Sequence, residues 1–129
     1  MRVIPDSHAD LLREPRFVHL ATTGPDGSPQ VQPIWTIWDG EVLRFTTTTT
    51  RQKHKNVVRN PHVSISVSDP DDPYRYLEVR GVVERIDQDP DGDFFDVLAT
   101  RYGMEYEKPI GDRERRVVLV VRPEHVTYQ

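Results

Sequence analysis

Two turn signatures close together in the sequence constrain the fold of this chain more than any other feature. The first is Gly24-Pro25-Asp26-Gly27, and the second is Asp39-Gly40, a dipeptide that favours a tight hairpin. Strands joined by such short turns run antiparallel, because a parallel connection needs a long crossover. The sequence therefore predicts consecutive antiparallel strands in its first half.

Later segments continue the strand pattern. Residues 62–68 alternate between aliphatic side chains and serines, the period of two that is typical of a strand with one buried face. Residues 76–86 predict a longer strand, in which Gly81 indicates a bulge or a close approach of a neighbouring backbone. Residues 116–121 predict a last strand, which we expect to extend beyond Pro123.

Short helices are expected between these strands. Leu11 and Leu12 supply the apolar face of the first predicted helix, and residues 93–102 predict a third helix, which is amphipathic. In the second predicted helix, which begins at Arg51, Val57 and Val58 are expected to face the core. With 129 residues, the chain predicts a single domain over residues 1–129. Hairpins with helices between them favour a mainly β (α+β) antiparallel barrel with helical plugs over a doubly wound sheet.

A basic helix start follows the threonine-rich strand at residues 44–50. Arg51 and Lys53 lie where unpaired backbone N–H groups already make the helix end positive. Acidic side chains would stabilise this end by roughly 0.3–1 kcal/mol each, so cations there indicate a bound anion. Together with the threonine hydroxyls, this start predicts a phosphate cradle. The alternative is a solvated basic helix beside a threonine-rich edge strand.

Composition limits the possible partners. The net charge is −4, whereas residues 51–59 contain cations and no acid, which favours a small anionic ligand over a nucleic-acid backbone. The absence of cysteine excludes disulfides and thiolate metal sites, and the histidines lack zincin spacing. No apolar run approaches the ~18 residues of a membrane span, and no signal peptide is evident. We therefore expect a cytoplasmic protein that binds no metal, nucleic acid or membrane.

Two tryptophans lie close together in the second predicted strand, residues 29–38. If that strand is regular, Trp35 and Trp38 point to opposite faces, so only one of them needs to be in the core. The other could pack on a ligand ring or at a subunit interface. Alternatively, both are packed in hydrophobic contacts.

Several short motifs, in a fixed order along the chain, carry a resemblance to a known family. They are Leu20-Ala21-Thr22, Gly24-Pro25-Asp26-Gly27-Ser28-Pro29-Gln30, Phe45-Thr46-Thr47, Arg51-Gln52-Lys53, Asn60-Pro61 and Glu78-Val79-Arg80-Gly81-Val82-Val83-Glu84. From about Ile4 to Tyr128 the chain resembles the pyridoxamine-phosphate-oxidase-like (PPOX-class) split-barrel family. Within it, the chain is most similar to the F420-dependent flavin/deazaflavin oxidoreductases of actinobacteria.

This resemblance implies a six-stranded antiparallel split β-barrel of the FMN-binding type, which forms a homodimer with cofactor sites at the interface. It implies F420 as the cofactor, with FMN as the alternative. The implied activity is hydride transfer between reduced deazaflavin and a small organic substrate. The alternatives are an FMN-binding oxidoreductase, a flavin carrier and a non-enzymatic binding barrel.

The resemblance also implies which residues bind the cofactor. Its ring would lie along the second strand, against Gln32, Pro33, Ile34 and Trp35. Its phosphate would lie against Thr46, Thr47, Arg51, Lys53 and Asn56. No catalytic acid stands out. True pyridoxamine phosphate oxidases carry Arg-x-Val-Leu-Leu-Lys in the second strand, whereas this chain has Gln30-Val31-Gln32-Pro33-Ile34-Trp35, so vitamin B6 oxidation is not expected.

Overall fold

One antiparallel sheet of seven strands forms most of the structure, a computed structural model that describes residues 3–129. The strands are β1 (Val18–Thr23), β2 (Pro29–Ile34), β3 (Ile37–Trp38), β4 (Leu43–Thr48), β5 (His62–Asp69), β6 (Asp72–Gln88) and β7 (Arg116–Tyr128). The helices are α1 (Asp10–Arg13), α2 (Gln52–Arg59) and α3 (Asp93–Arg101), with 3₁₀ turns at Asp6–His8 and Arg113–Arg115. Within residues 3–129, no helix is long and apolar enough to cross a membrane.

The strand order makes the sheet curl into an incomplete barrel. Neighbours follow the order β2-β1-β5-β6-β7-β4-β3, so β2 and β3 are the two edges. Only Trp35 and Thr36 separate these edges in the sequence. In a flat sheet five strands would lie between them, so the sheet must bend until its edges approach each other. The predicted mainly β split-barrel class is confirmed.

The strand count differs from the six expected, because the predicted second strand, residues 29–38, is interrupted at Trp35 and Thr36. The hydroxyl oxygen of Tyr102 accepts a hydrogen bond from the Thr36 N–H at 3.0 Å. The Thr36 carbonyl accepts one from Nε of Arg101 at 3.1 Å and lies 3.1 Å from the Tyr102 hydroxyl. These contacts take both backbone groups of Thr36 out of the ladder and divide the segment into β2 and β3.

The core follows the alternation read from the sequence. Val18 and Leu20 are buried in β1, whereas His19 between them is exposed. In β5 the aliphatic residues are buried and the serines face outward or lie at intermediate depth. Residues 117–121 of β7 are all buried, because this strand is covered on both faces. Leu11 and Leu12 pack into the core as predicted.

Gly81 lies where two backbones approach closely, as predicted. A Cβ at this position would lie 2.5 Å from the carbonyl oxygen of Arg122. The pairing of β6 with β7 shifts register between Arg80 and Gly81, and Gly81 is opposite Pro123. The irregularity lets β7 continue past a proline that could not donate to a regular ladder. The strand β6 begins at Asp72, earlier than the predicted start at residue 76.

The prediction for the buried face of α2 is partly wrong. Val57 is buried, but Val58 is 63% exposed. The second inward position belongs instead to Asn56, which is fully buried. Its amide donates to the hydroxyl of Thr22 at 2.9 Å and to the side-chain carbonyl of Gln30 at 3.0 Å. A buried amide with its hydrogen bonds satisfied can replace an apolar residue, which hydrophobic patterning does not detect.

Candidate functional site

A cleft of about 370 Å³ opens between β2 and β4, where the barrel is split. Its lining residues come from β2, β4, the start of α2 and the start of β7: Gln32, Pro33, Ile34, Thr46, Thr47, Arg51, Lys53 and Arg116. The structure therefore brings together most of the ring-side and phosphate-side residues predicted from the sequence. Trp35 and Asn56 are the two predicted residues outside this lining.

A larger cavity, of about 600 Å³, is less suited to an anion. It lies beside Trp38 and is lined by the carboxylates of Asp39, Glu41 and Glu84. Its cation, Arg122, is already paired with Glu84 at 3.4 Å and with Glu124 at 3.3 Å. Acidic walls repel phosphate, so we assign the candidate site to the cleft between β2 and β4.

The end of β4 and the start of α2 form the cationic wall of the cleft. Thr46 and Thr47 are buried in β4, and β-branched residues suit such a strand. Arg51 has an extended backbone and precedes the first turn of α2, which contains no acidic residue and no side-chain cap. The free N–H groups of that turn, with Lys53 in it, are therefore available to an anion.

Three cations converge on the cleft with little compensation. Arg51 is exposed and Lys53 is half-buried. Burial lowers the pKa of Lys53 below its usual value, and the charges of Arg51 and Arg116 lower it further. In the described part of the chain, only Arg116 among the three has an acidic partner, Asp112, with Nε 2.8 Å from Oδ1. The cleft is therefore an electropositive site that a bound anion would stabilise.

Arg116 is the cleft residue that sequence reasoning missed. The sequence pattern indicates only that it is the first residue of the last strand. In the structure, β4 pairs with β7 so that Thr48 is opposite Arg116. This long-range pairing carries the guanidinium to the phosphate-side residues, and Nη1 lies 3.4 Å from the Thr46 hydroxyl. No local motif contains that information.

The opposite wall of the cleft is an edge strand. β2 ends the sheet order, so the backbone groups on its outer side have no ladder partner. Pro33 lacks an N–H donor, which an edge strand tolerates because its outer side needs none. Gln32 provides an amide side chain and Ile34 an apolar surface. This wall can bind a flat heterocycle with polar edges.

Two predicted site residues, Trp35 and Asn56, are not part of the cleft lining. Trp35 stacks on Tyr102, with ring centroids 5.3 Å apart and planes 13° apart, and also contacts Phe95. Trp38 is the tryptophan that belongs to the core. Asn56 connects α2 to β1 and β2 through the hydrogen bonds described above. The role of Trp35 and Asn56 in direct cofactor binding stays a prediction.

The chemistry of the lining fits a phosphorylated ligand. No carboxylate and no histidine is among the residues that line the cleft. Across residues 3–129, no group of three or more histidine, aspartate or glutamate residues suits a metal ion. The hydroxyl of Thr47 is buried and has no hydrogen-bond partner among the described residues. An oxygen of a bound phosphate could accept a hydrogen bond from this hydroxyl.

The split antiparallel barrel and its cationic cleft define a class of small split-barrel proteins with an anion-binding site. The model of the pyridoxamine 5'-phosphate oxidase family matches residues 4–129. The chain therefore belongs to this family, and membership supports an oxidoreductase or flavin-binding role. No curated protein sequence matches the chain at a significant level.

Solved structures support the same fold. A protein named F420 reductase is 52% identical, with a TM-score of 0.95 over 98% of this chain and 100% of that chain. A conserved hypothetical protein of Mycobacterium tuberculosis is 27% identical, with a TM-score of 0.74 over 98% of this chain and 84% of that one. General stress protein 26 of Bacillus anthracis, at 20% identity, has a TM-score of 0.71 over 93% and 88% of the two chains and shows the fold alone.

Proposed function

We propose that this protein is an F420-dependent oxidoreductase that binds the deazaflavin cofactor in the cleft between β2 and β4. The proposed reaction transfers a hydride between the reduced deazaflavin and a small organic substrate. The observation that carries the proposal is the convergence of Arg51, Lys53 and Arg116 on a cleft lined by no carboxylate. The choice of F420 is supported by the 52%-identical protein named F420 reductase.

In this proposal the two walls of the cleft have different roles. The start of α2, with Arg51 and Lys53, binds the cofactor phosphate through charge-assisted hydrogen bonds. The edge strand β2 orients the ring, with Ile34 packed against it and Gln32 within reach of its polar edge. When bound, the deazaflavin supplies the hydride chemistry, and the protein supplies orientation and electrostatics.

FMN is the second candidate cofactor. It also carries a phosphate on a flat heterocycle, so the same cleft chemistry suits it, and membership of the pyridoxamine 5'-phosphate oxidase family supports it. With FMN, the protein would be an oxidoreductase or a flavin carrier. We further propose a homodimer and a cytoplasmic location, both from the sequence analysis.

Cofactor titration of the purified protein tests the proposal. Binding of F420 and of FMN is measured by fluorescence for the wild type, for Lys53→Ala and for Lys55→Ala. Lys55 is the matched control, because it is an exposed lysine of the same helix outside the cleft lining. We expect Lys53→Ala to weaken binding of the phosphorylated cofactor by about 1.5–3 kcal/mol, the worth of a charge-assisted hydrogen bond, with little effect of Lys55→Ala.

The outcomes separate the candidates. Tighter binding of F420 than of FMN supports the deazaflavin assignment, and the reverse preference selects FMN. If the wild type binds neither, or if both lysine variants lose affinity equally, the cleft is not the cofactor site and the proposal fails.

A further inference from the structure

Arg116 is held in one position by contacts on two sides. Nε and Nη2 donate to the two carboxylate oxygens of Asp112 at 2.8 and 3.0 Å. The guanidinium carbon lies 4.5 Å from the ring centroid of Phe95, which is itself buried. The side chain of Arg116 is only 13% exposed. A planar guanidinium fixed by a carboxylate and an aromatic face is pre-organised to bind a further ligand.

The third nitrogen of this guanidinium, Nη1, lacks a strong acceptor. Nη1 lies 3.4 Å from the Thr46 hydroxyl, too long for more than a weak hydrogen bond. The buried hydroxyl of Thr47, on the next residue of β4, has no partner in the described part of the protein. Both residues line the cleft. An anionic oxygen in the cleft would supply an acceptor that these donors lack.

The charge balance of the cleft also favours an anion. Arg51, Lys53 and Arg116 contribute three cations, and Asp112 compensates one of them. Arg116 is among the groups that lower the pKa of Lys53, so its charge acts on that ammonium group. Repulsion of this kind is relieved when a phosphate binds between the cations.

We propose that Arg116 binds the cofactor phosphate directly, together with Lys53, and that Asp112 is the positioning residue that orients it. The proposal rests on the proposed function, since it assigns a residue of the same site. It distinguishes Arg116 from its neighbours Arg113 and Arg115, which do not line the cleft.

The test compares ligands with and without a phosphate. Binding of FMN, F420 and riboflavin is measured for the wild type, Arg116→Gln and Arg115→Gln, the last being a matched change at an exposed arginine. We expect Arg116→Gln to weaken binding of the phosphorylated cofactor by about 10- to 100-fold and to change riboflavin binding less than about twofold. Arg115→Gln is expected to bind like the wild type.

Two results would overturn the assignment. One is an unchanged affinity of Arg116→Gln for the phosphorylated cofactor. The other is an equal loss for FMN and riboflavin, which indicates a structural role. If Arg116→Gln does not fold, Arg116→Lys takes its place, because one ammonium cannot pair with Asp112 and a phosphate as the guanidinium does. The FMN-to-riboflavin affinity ratio is then expected to fall, and an unchanged ratio contradicts the proposal.

A separate measurement distinguishes failure of this proposal from failure of the proposed function. If the wild type binds neither cofactor, the proposed function fails, and inorganic phosphate becomes the probe. The pKa of Lys53 is then measured by NMR of labelled lysine with and without phosphate. Phosphate is expected to raise this pKa in the wild type and in Arg115→Gln, but much less in Arg116→Gln. The same rise in the pKa of Lys53 in all three proteins, or no rise in any of them, would contradict the assignment of Arg116 to the phosphate site.

Discussion

Replacing Tyr102 by phenylalanine removes the hydroxyl that separates β2 from β3 and leaves the ring in place. The hydroxyl accepts a hydrogen bond from the Thr36 N–H at 3.0 Å and lies 2.8 Å from the carbonyl of Arg16. Thr36 is 1% exposed, so water cannot easily replace the lost acceptor. A buried unsatisfied N–H costs about 1–3 kcal/mol, so we expect the free energy of unfolding to fall by about 2 kcal/mol.

Urea denaturation at one fixed protein concentration measures this loss. Tyr102→Phe is expected to lower the midpoint at an unchanged m-value, because the surface exposed on unfolding is the same. Tyr74→Phe is the matched control, since Tyr74 is 77% exposed. A loss below about 0.5 kcal/mol would refute the reasoning. It would mean that the division of the second strand does not depend on this hydroxyl.

Two further changes test the fold. Gly81→Ala places a Cβ 2.5 Å from the Arg122 carbonyl oxygen. A loss of more than about 2 kcal/mol is expected in thermal or urea unfolding, against almost none for Gly111→Ala, where a Cβ meets nothing within 4 Å. The second change is Asp39→Asn. Hydrogen bonds from the Val42 N–H and from Arg44 lower the pKa of Asp39 from 3.8 to about 2. This carboxylate therefore stabilises the fold above pH ~4, and its contribution is lost as the pH falls towards 2. Since its side chain is 44% exposed, we expect a difference of only about 1 kcal/mol between wild type and variant at pH 6, which disappears near pH 2. A difference that does not change with pH contradicts this assignment.

Local patterns were sufficient to predict most of the strands and their antiparallel connection. The alternation in β5 and the Asp39-Gly40 turn are both local. The carboxylate of Asp39 accepts from the N–H groups of Glu41 and Val42, which fixes the turn. The close approach of a second backbone at Gly81 was also predictable, because a glycine within a strand indicates such an approach whichever strand is its neighbour.

The features that the sequence did not reveal depend on contacts between distant residues. The break at Thr36 is made by Tyr102, 66 positions away in the sequence. Arg116 reaches the cleft only because β7 pairs with β4. The buried position of Asn56 depends on partners in β1 and β2, so hydrophobic patterning assigned that position to Val58 instead. In each case the position of a polar side chain or backbone group depends on a residue that no local pattern specifies.

The central claim, that the cleft between β2 and β4 binds the phosphate of a flavin-type cofactor, is tested most directly by a crystal structure of the protein with F420 or FMN. We expect phosphate oxygens within hydrogen-bond distance of Lys53 and Arg116, with the ring along Gln32–Ile34. A cofactor bound in the cavity beside Trp38, or a phosphate that contacts neither cation, would contradict it.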